Sequence, residues 1–154
     1  GRERAQRALA AGMPGSAVGD GVLAPADGEW GLGKPLARQF SCRGVALTGR
    51  EILSATGNRW GATLFDAGRG EISASRPWSV GVIDRIGCGD AFAASLIASF
   101  LRGRAPADAL EFAVAASALK LRVAGDFNRA RTADVDRLVR GMDATGARFG
   151  EPWG

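Results

Sequence analysis

Histidine is absent from this 154-residue sequence, and with it go the Ser-His-Asp triad, the Cys-His nucleophile pair and every imidazole metal site. Carboxylates, lysine, thiols and backbone amides are left to do any chemistry. Cysteine is scarce: Cys42 and Cys88 are the only thiols. They lack the CxxC spacing of a zinc or redox motif, and a reducing compartment keeps them free. No apolar run approaches the roughly 20 residues of a membrane span, and residues 1–7, GRERAQR, are charged with no signal-peptide core behind them. The chain therefore reads as soluble and cytoplasmic, without a membrane partner. Position 1 is glycine and not methionine, so the sequence is expected to be processed, trimmed or partial. A basic stripe interleaved with aromatics is missing too. The arginines behind the net charge of +4 are scattered, which argues against a nucleic-acid partner.

What is present is enough aliphatic side chain for a core: 46% apolar content over 154 residues suits one ordinary domain. Helix formers at residues 3–12 stop at Met13-Pro14-Gly15. Residues 22–24 predict a short strand, residues 34–39 a short helix, and residues 44–48, GVALT, a buried strand of the kind found in parallel sheets. Residues 61–65 and 71–75 flank DAGRG, which predicts a hairpin with glycine at the positive-φ turn positions. A further strand is expected over 79–83. From Asp90 to Arg102 the residues Phe92, Leu96, Ile97, Phe100 and Leu101 recur at helical spacing, and Gly103 stops them. Pro106 opens a second helix over 107–121 that is apolar or small almost all round and so must be buried. A last helix over 133–140 precedes a polar tail, 141–154. Strands feeding helices on this scale predict an α/β fold with a largely parallel or mixed sheet.

The chemistry concentrates in residues 82–92, VIDRIGCGDAF, which run from a strand through two glycines into a helix. A helix start leaves several backbone N–H groups unpaired and carries partial positive charge, so amides there surround an anion without a basic side chain. Glycine lets the anion touch the backbone. Asp90 has two readings. As a helix N-cap it satisfies one amide of the first turn; as a general base it accepts a hydroxyl proton while a phosphoryl group arrives. A cap alone does not require the glycines before it. Two other phosphate signatures fail: G-x-x-x-x-G-K-[ST] is absent, and the third glycine of G-x-G-x-x-G would fall at Phe92.

Residues 84–92, DRIGCGDAF, resemble the D-x-x-G-x-G-D-x-F signature of ribokinase-like carbohydrate kinases. The stretches ALEFAVAASALK at 109–120 and GDFN at 125–128 look like the 2-dehydro-3-deoxygluconokinase branch of that family. The similarity runs from about residue 44 to residue 141 and is thin before it. The resemblance implies an α/β, ribokinase-like three-layer sandwich, of which this chain would be the C-terminal, ATP-binding part without the N-terminal half and lid. It implies ATP with Mg2+, a sugar acid such as 2-dehydro-3-deoxygluconate as acceptor, and either a missing N-terminal half or a homo-oligomer as partner.

Residue by residue, the resemblance makes Asp90 the base and the amides of Gly87, Cys88 and Gly89 an anion hole. It places Thr48, Arg50, Val114, Gly125 and Asn128 near the nucleotide, and Asp84 at a monovalent cation site for K+. Each has a plainer reading beside it: Arg50 as a surface charge, Asn128 as a turn residue, Asp84 as the centre of an Asx turn. Three features depart from the family pattern. The stretch at 23–29, LAPADGE, lacks the asparagine of an N-x-x-E metal motif; Cys88 stands where glycine is common; and the sugar-binding half is not in this sequence. A truncated, non-catalytic remnant that binds nucleotide weakly or not at all is therefore the alternative expectation.

Overall fold

The structure, a computed structural model, describes residues 32–54 and 56–141. The helix expected at 3–12, the strand at 22–24, the LAPADGE stretch and the tail beyond Gly141 lie outside the described residues. The elements in chain order are α1 (Gly33–Phe40), β1 (Gly44–Ile52), β2 (Gly57–Asp66), β3 (Glu71–Ala74), β4 (Trp78–Gly81), α2 (Cys88–Leu101), α3 (Pro106–Leu121) and α4 (Thr132–Val139).

β2 is the organising strand. On one side it pairs along its whole length with β1, from Gly44 opposite Asp66 to Ile52 opposite Asn58. On the other side β4 and β3 lie end to end, with Gly57 opposite Gly81 and Asp66 opposite Glu71. Pro77 has no N–H, and where the edge breaks between β3 and β4 the side chain of Ser75 completes the pairing. Its backbone N–H donates to Ala62 O at 2.9 Å, and its hydroxyl accepts from Ala62 N at 3.0 Å. A backbone amide buried without such a partner costs about 1–3 kcal/mol.

Every pairing among the described strands is antiparallel, against the expectation of a largely parallel or mixed sheet. The links from β1 to β2 and from β2 to β3 are a few residues long, and such links turn a chain back on itself; a parallel partner needs a crossover of about a dozen residues or more. Residues 44–48 are likewise not a buried parallel strand. They open a nine-residue strand that pairs only with β2 among the described residues and whose side chains are mostly half-buried or exposed there. β2 does have the two-sided burial of a parallel strand, because helices cover both of its faces.

On one face, Trp60, Ala62 and Leu64 meet the helices; Trp60 Nε1 donates to Ser117 Oγ of α3 at 2.6 Å. On the other, α1 sits so close that a β-carbon on Gly33 would stand 2.7 Å from Cβ of Phe65. Helix, sheet and helices thus form three layers. α3 is the spine of the core, with Ala109, Leu110, Ala113, Val114, Ala115 and Ala118 fully buried. α2 and α4 pack on it through Phe92 and Leu96 and through Val135 and Leu138. α2 has two apolar faces, and only one is covered among the described residues: of the five residues at helical spacing, Ile97, Phe100 and Leu101 stay exposed. The hairpin at 66–70 and the glycine stop after α2 follow the sequence reading, with Gly70 at φ 70° and Gly103 at φ 73°, whereas Gly68 in the same turn has no positive φ.

Register decides where function can sit. β1 and β4 both run antiparallel to β2, so their carboxyl ends lie at the same end of the sheet. β4 ends at Gly81, short of the expected Ile83, because the backbone then turns away. Val82 N donates to Thr56 O at 2.7 Å, while Ile83 N and Asp84 N reach Leu121 O at the end of α3, at 2.8 and 3.2 Å. Carboxyl ends of neighbouring strands are where open α/β sheets bind ligands.

Candidate phosphoryl-transfer site

The chain from β4 to α2 is shaped by a single glycine. Gly87 occupies the cap position with φ 77°, a left-handed conformation, and a β-carbon there would lie 2.6 Å from Asp126 O and 3.4 Å from Cε of Lys120. Only glycine meets both demands. Asp90 is therefore not the N-cap; it is the third residue of the helix, and Gly87 starts α2 earlier than the sequence reading had it. Its carboxylate is exposed and makes no hydrogen bond or ion pair with the described residues.

Gly89 is a different case. It lies inside the first turn of α2 without a positive φ, and nothing stands within 4 Å of where its β-carbon would be. Glycine inside a helix costs about 0.5–1 kcal/mol relative to alanine, and no neighbour in the fold requires it. The amides of Gly87, Gly89 and Asp90 find no acceptor among the described residues, whereas Cys88 N points to Arg85 O at a long 3.4 Å. The first turn thus combines open space, unpaired donors and the positive end of a helix beside a free carboxylate.

Asp84 ties this turn to the loop after α3. One carboxylate oxygen accepts from Ile86 N at 3.0 Å, closing the Asx turn, and the other accepts from Gly125 N at 2.8 Å. The amides of Ile86 and Gly125, then the charge of Lys120, hold the Asp84 carboxyl below its usual range. A lowered folded-state value means that this stabilisation is complete above the unfolded value of about 3.9 and is lost as pH falls through the folded one. Asp84→Asn is expected to flatten the acid limb of a thermal-midpoint series below about pH 5; an unchanged limb would show that Asp84 contributes nothing to it.

Gly125 has φ 84° and presents its amide to Asp84. Asn128 is exposed and its side chain accepts from Ala130 N at 3.0 Å, the turn role. Thr48 and Arg50 are exposed on β1 opposite Ala62 and Trp60, on the face that carries the helices. They run toward the same end of the sheet as the 82–87 turn, although no hydrogen bond or ion pair joins them to it. Val114 is placed otherwise. Its side chain is fully buried at the centre of α3, because that helix is enclosed by the sheet, α2 and α4, so it offers no surface to a nucleotide. Among the described residues no three acidic or cysteine side chains converge as a metal cluster, and no helix is long and apolar enough to cross a membrane. An open cleft of about 190 Å³ lined by Lys34, Arg38 and Phe65 lies on the α1 face, away from this turn.

Sequence reasoning assigned no role to Lys120, which is fully buried beneath Gly87. The available signal was a lysine in the last turn of a helix that is apolar or small almost all round after Asp108 and Glu111.

The profile of the pfkB family of carbohydrate kinases matches residues 52–133, more than half of the chain and all of the turn just described. The chain belongs to that family. Among solved structures, the 2-dehydro-3-deoxygluconokinase of Thermotoga maritima is 34% identical with a TM-score of 0.66, over 70% of this chain and 32% of that one. A protein of Enterococcus faecalis assigned provisionally as a 2-keto-3-deoxygluconate kinase aligns with all of this chain and 42% of its own, at 20% identity and a TM-score of 0.67. A PfkB family carbohydrate kinase of Listeria grayi aligns over 91% of this chain and 39% of its own, at 21% identity and a TM-score of 0.66. The last two likenesses are of fold alone. Comparison with curated protein sequences yields no match. The chain spans between 32% and 42% of the length of these kinases.

Proposed function

We propose that this chain is the ATP-binding part of a cytoplasmic sugar kinase that transfers the γ-phosphoryl group of ATP to a hydroxyl of a sugar acid such as 2-dehydro-3-deoxygluconate. The observation that carries the reading is Gly89. The fold leaves its β-carbon position empty and the amides around it unpaired, which is what close approach of a phosphate to the backbone requires. The residues present fit that group.

The amides of Gly87, Gly89 and Asp90, with Cys88 turning its own toward the anion, stabilise charge on the transferred phosphoryl oxygens. Their positions are set before reaction, so little reorganisation is needed. Asp90, free of other partners, accepts the acceptor hydroxyl's proton as the new O–P bond forms. Thr48 and Arg50, at the same end of the sheet, meet the nucleotide phosphates, and Gly125 and Asn128 border its base. Mg2+ brought in with ATP would offset the phosphate charge, beside what the amides of this turn supply. The K+ expected at Asp84 is not carried into this reading, because both carboxylate oxygens already accept from the amides of Ile86 and Gly125. The sugar acid is the narrower part of the proposal and rests on the likeness to the Thermotoga maritima enzyme.

Gly89→Ala is the direct test. Alanine suits a helix interior better than glycine by up to about 1 kcal/mol, so the thermal midpoint should hold or rise. A methyl group in the empty space should weaken ATP binding by about tenfold or more, the equivalent of roughly 1.4 kcal/mol. Isothermal titration with ATP on both forms measures it, and unaltered affinity would remove the anion site from this turn.

A further inference from the structure

Lys120 is the only charged residue among the described ones with no exposure at all. A charge in such a place is costly unless it is compensated on the spot. The compensation comes from the two loops that make the site. Its Nζ donates to Val123 O at 3.1 Å, and its Cε lies 3.4 Å from the β-carbon position of Gly87, which Asp126 O also crowds at 2.6 Å. Asp84, whose charge Lys120 also favours, spends both carboxylate oxygens on the amides of Ile86 and Gly125.

A K+ ion at Asp84 would have to gather several oxygens from these loops while standing beside an ammonium group of like charge. The residues do not fit such an ion. A single positive charge, bonded to a carbonyl of the 120–126 loop and set under the 84–87 turn, is already there.

We propose that the Lys120 ammonium is the resident monovalent cation of these two loops, taking the part that K+ would take at Asp84 and holding Gly87 and its neighbours in place for an anion. Lys120 touches no substrate atom and is a positioning residue. Its bearing on turnover rests on the phosphoryl-transfer reading above, whereas its response to cations does not.

The test therefore uses thermal unfolding of the 154-residue chain without nucleotide, in KCl, NaCl and choline chloride at equal ionic strength. The wild type is expected to melt at the same temperature in all three. Lys120→Ala opens a space beside Val123 O and should lose several degrees in choline, recovered in K+ or methylammonium. If the alanine form is unfolded in choline, its refolding on adding methylammonium is the same readout. Lys120→Met fills the space without charge and should respond to no cation. A wild type stabilised by K+ over choline would show that these loops bind an ion besides the lysine and would overturn the proposal. An alanine form that no small cation restores would overturn it as well, leaving Lys120 a packing residue.

Discussion

Asp90→Asn is expected to lower kcat by roughly 10²-fold or more while ATP affinity stays nearly level, because a carboxamide cannot take the hydroxyl proton and the amides that meet the phosphate are untouched. The structure sharpens this contrast. Gly87, not Asp90, holds the cap position, and the Asp90 carboxylate has no partner among the described residues to lose. What the substitution removes structurally is a negative charge in the first turn of a helix, an exposed effect of under about 1 kcal/mol. Steady-state kinetics on the chain, or on a hybrid in which residues 44–141 replace the matching segment of the Thermotoga maritima kinase, measures turnover, and thermal unfolding runs beside it. Near wild-type kcat in the asparagine form would end the role of Asp90 as base. A hybrid inactive with either residue while still binding ATP would instead favour the non-catalytic remnant.

Gly87→Ala is expected to be the most destabilising single-methyl change at the site, lowering stability by about 2 kcal/mol or more. Left-handed backbone costs a non-glycine residue about 1–2 kcal/mol, and here the new β-carbon would also lie 2.6 Å from Asp126 O. That oxygen belongs to the backbone and cannot swing away. Relief would require the 84–87 turn and the 120–126 loop to part, pulling at the bonds from Asp84 to Gly125 and from Ile83 to Leu121 O. Denaturant unfolding of the alanine form beside Gly89→Ala checks the claim. The two glycines should separate cleanly, position 87 through stability and position 89 through ATP affinity. Equal stabilities for both would mean that the turn yields where the geometry says it cannot.

Much of the chain could be read from residues close in sequence, because the forces involved act over one or two turns. The apolar spacing after Asp90, Pro106 at the first position of α3, and the glycines at 70 and 103 all specify local backbone, and the structure follows them within a residue or two. The strand-glycine-helix motif at 82–92 was legible for the same reason, and it led to the family.

Strand direction was not legible that way. A run such as GVALT has the composition of a buried parallel strand, and only the short link to β2 and the partners across it make β1 antiparallel to its described neighbour. The same limit holds within the site. The motif gave its two glycines one shared role at the anion and left Asp90 with both a cap and a base reading. It took the oxygen of Asp126, some forty residues away, to show that Gly87 serves the fold, and the empty space beside Gly89 to show that it does not. Lys120 is the clearest case: its sequence neighbours mark it only as a charge late in a mostly apolar helix. What decides its role is the pairing of two loops distant in sequence, and a buried charge takes its meaning from whatever surrounds it in space.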